Sequence, residues 1–509
     1  MSEARLHGFP FTRCWRGAST VGWRKVGLRA LLLLVAAMAS GCGTTAISHK
    51  AARGYSIKMG GDMASVPGYV HAEAAQFIEF CVELDDQSDR KEPPYDPGLD
   101  PQIDAGLWNP VPRFDSREAV AKDFIEWLRR GSPTYDGAAG SSDDDLRHWS
   151  KLFGEIRQRV VGDKATWERI QNNDPDAWKS IQRDPDLNGF GPWQNAWLLY
   201  EGVGPNAGKY AIAIRGTVFS TAPSAIEDAL FQPISAREFL SRAVSFSDSD
   251  AAMLHGGFAH ATFTLLLDRR YGILQKLEEN GIPNGSALFI VGHSQGAAMA
   301  TLVHAFFDTA MREADSGSGD PLGLKGRLYH LKSYAFAQPK PGNYEFASEF
   351  ARVTQRLDSA IVVNNDIDPV PKVPLTLQAT EDLATDFKGQ FWEARLLHFL
   401  SGAGAGLRGI ISSIAEPVAR KSAENYGYFY HYESIRPLAR SEKTGSSWNF
   451  VPAGRVMFVF GTPLPDQGDD LFFQHHATTY RNLLCQQLGP SAGCRPPVFR
   501  RPIAGEIRK

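Results

Sequence analysis

The stretch Ala287-Leu-Phe-Ile-Val-Gly-His-Ser-Gln-Gly-Ala-Ala-Met-Ala300 decides how this chain can fold. Its first five residues are apolar and predict a buried strand, and the small residues at its end predict a helix that packs close to that strand. Between them stands Gly-x-Ser-x-Gly, the pattern of a sharp turn that exposes a serine hydroxyl at the edge of a sheet. Gly292 and Gly296 suit such a turn, because a side chain at either position would collide with neighbouring backbone. Ser294 is therefore the candidate nucleophile.

The composition is that of a globular protein and excludes some classes of partner. The chain has 509 residues, 43% hydrophobic and 22% charged, enough for two domains or for one large domain with insertions. Its formal net charge of −3 becomes −8 once the six basic residues and one acidic residue of segment 1–41 are removed. A mildly acidic mature chain has no electrostatic reason to bind nucleic acid. The sequence has no CxxC motif and no cluster of His and Cys, so we expect neither a metal nor a cofactor.

The N-terminus predicts a targeting signal. Three basic residues in segment 24–29 precede the apolar segment 30–39, which is too short to span a bilayer as a stable helix. The segment ends in Ala39-Ser-Gly-Cys42, which resembles the lipobox of bacterial lipoproteins and implies cleavage before Cys42 and lipidation of its thiol. We therefore expect a protein held in the bacterial cell envelope, at the outer membrane, by a lipid anchor. A plain secretory signal, giving a periplasmic or secreted protein, is the alternative.

The remaining cysteines leave two interpretations open. Cys485 and Cys494 are close enough in sequence to form a disulfide in an oxidising compartment, which would leave Cys81 odd. All three could equally be buried or free thiols.

The pattern of hydrophobic residues changes at Trp193. From there short apolar runs alternate with longer amphipathic segments, which is typical of a mostly parallel sheet covered by helices. We expect a domain of this kind over 193–485, preceded by a mainly helical extension over 42–192. Residues 376–425 interrupt the rhythm as a cap-like insertion, and residues 486–509 form a C-terminal tail.

The predicted elements of the domain are six strands and three helices. The strands are Trp197–Tyr200, Tyr210–Ile214, Ala287–Val291, His330–Phe336, Ala360–Val363 and Val456–Phe460. The helices are Phe258–Asn280, Ala297–Ala314 and Tyr344–Gln355.

A serine hydroxyl needs a base, and the base needs a carboxylate to orient it. After a nucleophile turn of this kind, the acid and then the histidine follow along the chain. Asp366 and Asp368 both stand just after a predicted strand and compete for the role of the acid. The histidines that come later still are His398, His431, His475 and His476. His293 beside the serine faces the wrong way to serve as a base, and His255 is expected to be a structural, hydrogen-bonding residue.

Further motifs flank the serine in a fixed order. They are Ala213-Ile-Arg-Gly-Thr217, Leu254-His-Gly-Gly-Phe258, Tyr334-Ala-Phe-Ala-Gln-Pro-Lys-Pro-Gly-Asn343, Asn365-Asp-Ile-Asp-Pro-Val-Pro371 and His475-His-Ala-Thr-Thr-Tyr480. Together with the serine pentapeptide, this ordered set resembles the class 3 (fungal-type) lipases of the α/β-hydrolase superfamily. The resemblance covers about residues 193–485 and is far more specific than any single motif.

The resemblance implies an α/β-hydrolase fold and a triad of Ser294, Asp368 and His475. It selects Asp368 because the family's catalytic aspartate precedes the x-Val-Pro segment, which leaves Asp366 as a turn residue. It favours His475 because a tyrosine follows five residues on, with His476 as the close alternative.

The family also implies an oxyanion hole and a lid. Thr217 would supply a backbone N–H and its hydroxyl to the oxyanion, and Gln295 would supply a backbone N–H. Gln295 stands where leucine is common, which we expect to be harmless because the backbone does the work. The segment Phe219–Val244 lies where the family carries its lid, and a fixed amphipathic helix there is equally expected. Arg215 should anchor the loop.

The implied function is hydrolysis of carboxylic esters, either acylglycerols or phospholipids, through an acyl-enzyme. A triacylglycerol lipase, an esterase and a phospholipase A1 would all share these residues. The expected partners are a lipid or other ester substrate and, through Cys42, a membrane. Two alternatives stay open: a catalytically inactive lipoprotein that binds lipid or a partner on the same fold, and an acyltransferase.

Overall fold

In the computed structural model of the chain, the described residues are 66–84, 100–129, 187–217, 233–237, 246–315, 327–374, 450–461 and 473–488, without positions 192 and 269, and the single residues 165, 168, 169, 172, 174 and 228. All of them belong to one unit that spans Lys58–Lys509. The predicted signal, Cys42, the insertion at 376–425 and the tail from 489 lie outside these residues.

The described residues form eleven strands in two sheets. In chain order these strands are β1 (Phe114–Asp115), β2 (Trp197–Glu201), β3 (Lys209–Ile214), β4 (Pro233–Ser235), β5 (Met253–His255), β6 (Ala287–His293), β7 (His330–Phe336), β8 (Gly342–Asn343), β9 (Ala360–Asn365), β10 (Phe450–Val451) and β11 (Arg455–Val459). The central sheet has the order β1-β2-β3-β6-β7-β9-β11, and the small sheet has the order β10-β8-β5-β4. From β3 to β11 the central sheet is parallel, and only β1 and β2 are antiparallel to their neighbours.

Helices cover the central sheet. In chain order the described helices are α1 (His71–Leu84), α2 (Ser116–Arg129), α3 (Gly256–Leu267), α4 (Ile273–Glu279), α5 (Gln295–Asp315), α6 (Tyr344–Leu357) and α7 (Ala477–Leu488). No helix in this part of the chain is both long and apolar enough to cross a membrane.

The core lies on both faces of the sheet, which explains why β6 is apolar from Ala287 to Val291. Leu288 and Ile290 pack into one hydrophobic cluster, whereas Phe289 and Val291 pack into another. Successive residues of a strand point to opposite faces, so a strand covered on both sides is apolar along its whole length. The mostly parallel sheet flanked by helices, and with it the predicted α/β-hydrolase fold, is confirmed.

The six predicted strands are confirmed, with ends that differ by at most two residues, but the predicted helix Phe258–Asn280 is wrong. The structure has two helices there, α3 and α4, because Asp268 ends the first. Its carboxylate accepts hydrogen bonds from the backbone N–H groups of Arg270 and Tyr271, at 2.8 and 2.7 Å. Gly272 completes the turn, since a Cβ there would lie 2.3 Å from the Asp268 carbonyl oxygen.

Two elements that precede Trp193 are part of this core. The strand β1 pairs with β2 at the edge of the central sheet. The helix α1 packs on the sheet, where the Phe77 ring lies 4.9 Å from that of Phe289. It is also joined to α7 by a buried ion pair between Glu79 and Arg481, 3.3 Å apart. The predicted division of the chain at residue 193 stays a prediction.

Candidate active site

The predicted turn at Ser294 is present between β6 and α5. Ser294 has a φ of 58°, a left-handed conformation that costs a residue with a side chain roughly 1–2 kcal/mol. The two glycines make the turn possible. A Cβ on Gly292 would lie 2.1 Å from the carbonyl oxygen of Gly296, and a Cβ on Gly296 would lie 2.3 Å from that of Ile214. The turn therefore presents the hydroxyl at the C-terminal edge of the parallel strands.

The structure brings Ser294, His475 and Asp368 into one chain of hydrogen bonds. The Ser294 hydroxyl lies 2.8 Å from His475 Nε2, and His475 Nδ1 lies 2.8 Å from Asp368 Oδ2. A neutral imidazole that donates from Nδ1 to the carboxylate and accepts from the hydroxyl at Nε2 satisfies both bonds. All three side chains are buried, with exposures of 4% or less.

The carboxylate of Asp368 is held from three sides. Besides His475, it accepts hydrogen bonds from the Tyr480 hydroxyl at 2.7 Å and from the Val370 backbone N–H at 2.9 Å. The Tyr480 hydroxyl in turn accepts a hydrogen bond from the backbone N–H of Asn365 at 2.8 Å. Burial, and then the charge of Asp368, raises the pKa of Tyr480 well above its usual value, so the hydroxyl stays a donor. The sequence marked Tyr480 only as part of a motif and assigned it no role.

The competing candidates lie elsewhere. Asp366 accepts a hydrogen bond from the Gly461 backbone N–H at 2.8 Å, as expected for a turn residue. His476 is the next residue after His475, but the bonds to Ser294 and Asp368 are both made by His475.

His293 is a packed histidine, as expected. Its Nε2 donates a hydrogen bond to the backbone carbonyl of His475 at 2.6 Å, and the two rings lie 4.8 Å apart. Burial, and then the neighbouring charge of His475, holds the pKa of His293 well below its usual value. His293 therefore supports the segment that carries His475 and remains neutral.

The loop after β3 passes over the nucleophile turn. A Cβ on Gly216 would lie 2.7 Å from the His293 carbonyl oxygen, so only glycine allows this approach. Arg215 anchors the loop, as expected, by donating to the carbonyl oxygens of Asn188 and Gln194. Thr217 follows Gly216 in this loop, and a Cβ on Gly216 would lie 3.1 Å from the Cβ of Ser294.

The Thr217 hydroxyl does not point where the resemblance placed it. It donates a hydrogen bond to Asp228 Oδ2 at 2.8 Å, and the Gln295 side chain also donates to this carboxylate. Gln295 is the first residue of α5, so its backbone N–H lies at the positive end of the helix dipole. The Gln295 side chain, expected to be passive, therefore takes part in the site.

Asp228 was missed in the sequence. Burial raises its pKa to about 7, although the bonds from Thr217 and Gln295 and the charge of His475 act in the opposite direction. It belongs to the segment expected to be a lid, most of which lies outside the described residues. The sequence offers two adjacent acidic residues there, at positions 227 and 228, and no pattern that chooses between them.

His255 holds the backbone of Asp228. Its Nδ1 accepts a hydrogen bond from the Phe258 backbone N–H at 3.3 Å and caps α3, while its ring also bonds the backbone of Asp228. Burial lowers the pKa of His255 to about 3, so the ring is neutral at ordinary pH. This is the structural role expected for it.

Two further features bear on ligands and on redox chemistry. Within the part of the chain that the structure describes, no group of three or more His, Cys, Asp and Glu residues could hold a metal ion. Cys485 is disulfide-bonded, and its predicted partner Cys494 lies outside the described residues.

Residues 211–378 match the family model of class 3 lipases. This part of the chain is similar to the class 3 lipases. The chain is 32% identical over 166 residues to a secreted mono- and diacylglycerol lipase of Malassezia globosa, an alignment that covers 32% of this chain and 46% of that protein. The chain thus spans less than half the length of this relative.

Among solved structures, the chain is similar to a triacylglycerol lipase whose catalytic centre is a serine protease triad. The identity is 22%, with 36% of this chain and 57% of that chain covered and a TM-score of 0.25. A second structure, M37 lipase, is 16% identical over 74% of this chain and 95% of its own length, with a TM-score of 0.32.

Proposed function

We propose that this protein hydrolyses carboxylic esters of lipids, with Ser294 as nucleophile, His475 as general base and Asp368 as the carboxylate that orients it. The observation that carries the proposal is the buried chain of two 2.8 Å hydrogen bonds on a strained turn. A strained residue in the left-handed region persists only where the surrounding structure holds it, and such residues cluster at active sites. An inactive binding protein has no need to keep it.

The geometry supports acyl transfer in two halves. In the first half, His475 Nε2 takes the proton of the Ser294 hydroxyl while Oγ bonds to the ester carbonyl carbon. Asp368 stabilises the imidazolium, which then gives its proton to the leaving alcohol as the ester C–O bond breaks. In the second half, His475 takes a proton from water as the water oxygen attacks the acyl carbon. The ester bond to Ser294 then breaks, His475 returns a proton to Ser294 Oγ, and the fatty acid leaves.

The oxyanion formed in each half is stabilised by backbone donors. Those assigned here are the N–H groups of Thr217 and Gln295, and the dipole of α5 favours negative charge at the same place. Removing one donor of this kind typically costs roughly 3 kcal/mol of transition-state stabilisation.

The proposed substrates are acylglycerols or phospholipids. The matched segment of the Malassezia globosa protein, a secreted mono- and diacylglycerol lipase, supports acylglycerols. We further propose that Cys42 carries a lipid anchor that holds the protein at the bacterial outer membrane, where such esters are abundant. The secreted state of that relative fits the alternative, a protein released by a plain signal. Labelling with radioactive palmitate, lost in C42S, would distinguish the two.

The test uses the full chain in detergent and a fluorophosphonate probe, which bonds to an activated serine whatever the natural substrate is. Wild type should be labelled on Ser294 and should release p-nitrophenol from short-chain esters, whereas S294A should do neither. S348A, which removes an exposed hydroxyl from α6, is the matched control and should behave as wild type.

Emulsions of triglyceride, diglyceride and phospholipid would then rank the substrates by the fatty acid released. A folded wild type that is neither labelled nor active would refute the hydrolase and favour the binding protein. Labelling with transfer of the acyl group to an added alcohol, but none to water, would indicate the acyltransferase.

A further inference from the structure

Asp228 places a carboxylate beside the oxyanion hole, on the hydroxyl that the hole was expected to use. Thr217 Oγ1 lies 2.8 Å from Asp228 Oδ2, and the Gln295 side chain donates to the same group. Thr217 and Gln295 are also the two residues whose backbone N–H groups are assigned to the oxyanion. One carboxylate thus ties the two halves of the hole together through their side chains.

The direction of the Thr217 proton follows from the charge of this carboxylate. A threonine hydroxyl has one proton to donate, and an ionised carboxylate can only accept. While Asp228 is charged, the hydroxyl must donate to it and is lost to the oxyanion. When Asp228 is protonated, the acid can donate to Thr217 Oγ1, and the threonine proton is released to turn towards the oxyanion.

Given the ester hydrolase proposed above, we propose that Asp228, clamped by the Gln295 amide, is a positioning residue that directs the Thr217 hydroxyl. Charged Asp228 withdraws that hydroxyl from the oxyanion, and neutral Asp228 supplies it as a third donor beside the two backbone N–H groups.

The surroundings of Asp228 place this exchange near neutral pH. Burial raises the pKa of the carboxyl to about 7, while the two donors and the charge of His475 hold it from rising further. His255 bonds the backbone of Asp228 and is neutral because burial lowers its pKa to about 3. The backbone is therefore held in place whichever form the carboxyl takes.

The test is the pH dependence of kcat from pH 5.5 to 9 on a short-chain p-nitrophenyl ester, with the full chain in detergent. In wild type, kcat should fall on the alkaline side of pH 7 by about tenfold or more, since losing an oxyanion donor costs on the order of 10²–10³ in kcat when the loss is complete. The KM should change little. On the acid side of the profile kcat also decreases, because the base is then protonated, and this decrease is separate from the alkaline one.

Three variants isolate the network. D228N puts a neutral amide at this position at every pH, so the alkaline decrease should disappear. T217V has no hydroxyl to redirect, so it should show a lower plateau and no alkaline decrease. Q295L removes a donor to the carboxylate, which favours its neutral form, so the alkaline decrease should move to higher pH.

D308N is the matched control, because burial also raises the pKa of Asp308 but its partner is Arg312 at the exposed end of α5. It should keep the wild-type profile. An alkaline decrease that is unchanged in D228N, or a wild type without one, would overturn the inference. If D228N fails to fold by circular dichroism, the direction of the Q295L shift decides. An active enzyme with the wrong profile refutes only this inference, whereas a folded wild type that is inactive and unlabelled by fluorophosphonate refutes the proposed hydrolase as well.

Discussion

Replacing Tyr480 by phenylalanine should lower the stability of the fold and yet strengthen the attraction between Asp368 and the His475 imidazolium. The hydroxyl makes two bonds, as donor to Asp368 at 2.7 Å and as acceptor from the Asn365 N–H at 2.8 Å. A net hydrogen bond to a charged group contributes roughly 1.5–3 kcal/mol, and a buried N–H left without a partner costs roughly 1–3 kcal/mol. We therefore expect Y480F to lower the free energy of unfolding by about 3–5 kcal/mol in urea titrations.

The same substitution that destabilises the fold should favour the charged form of His475 during catalysis. With the tyrosine donor gone, the Asp368 charge is less neutralised and attracts the His475 imidazolium more strongly. The acid limb of the kcat/KM profile should then move to higher pH, by roughly 0.5–2 units if part or all of that bond energy reaches the imidazole, since about 1.4 kcal/mol corresponds to one unit. At alkaline pH, kcat should fall less than about tenfold, because the other two donors to Asp368 remain.

The chain contains a matched control for this change. The Tyr334 hydroxyl likewise donates to a carboxylate, that of Glu73 at 2.8 Å, and accepts from the Val70 backbone N–H at 3.1 Å, away from the site. Y334F should lose comparable stability without moving the acid limb. An acid limb that stays in place in Y480F, or moves equally in both variants, would refute the reasoning.

Four other substitutions have definite expected outcomes. E79Q should lower the free energy of unfolding by about 3–5 kcal/mol, because it leaves Arg481 charged and buried, with exposures of 4% and 6% for the two side chains. E73Q, on the same helix but at a more exposed pair, should cost only about 1 kcal/mol; equal losses in urea titrations would contradict this. The free energy of unfolding of S294G should exceed that of S294A by about 1–2 kcal/mol, since both lack the hydroxyl but only glycine suits the φ of 58°. G216A should abolish fluorophosphonate labelling while the chain stays folded by circular dichroism, because its methyl group would lie 3.1 Å from the Cβ of Ser294 and 2.7 Å from a backbone oxygen; full labelling would show that the loop can yield.

The strands were predictable because a strand buried on both faces is apolar without interruption. The runs at Ala287 and Ala360 gave both the positions of strands and their place in the core. The strand β1 was missed because two residues carry no periodic pattern, and its place at the edge depends on pairing with β2. The break between α3 and α4 was missed because it depends on a local capping bond of Asp268 within an otherwise continuous amphipathic pattern.

The site was predictable where chain order carries the information. The order of serine, aspartate and histidine limited the candidates to a few, and the motif pattern chose Asp368 over Asp366. Asp228 could not be found in this way. Its importance comes from a hydrogen bond with Thr217, 11 residues earlier in the chain, and nothing in its neighbours in sequence indicates that contact.

The ion pair between α1 and α7 joins two residues that are 402 positions apart. Closing a segment of that length costs entropy before any contact repays it, and contacts of this kind slow folding. The helix α7 begins two residues after His475, so the docking of α7 on α1 also brings His475 into place. A nascent chain can complete the strand and turn that carry Ser294 long before the histidine has been synthesised. Catalytic competence is therefore expected only after residue 475 has been synthesised, and a chain cut short before residue 473 would lack the histidine that bonds Ser294.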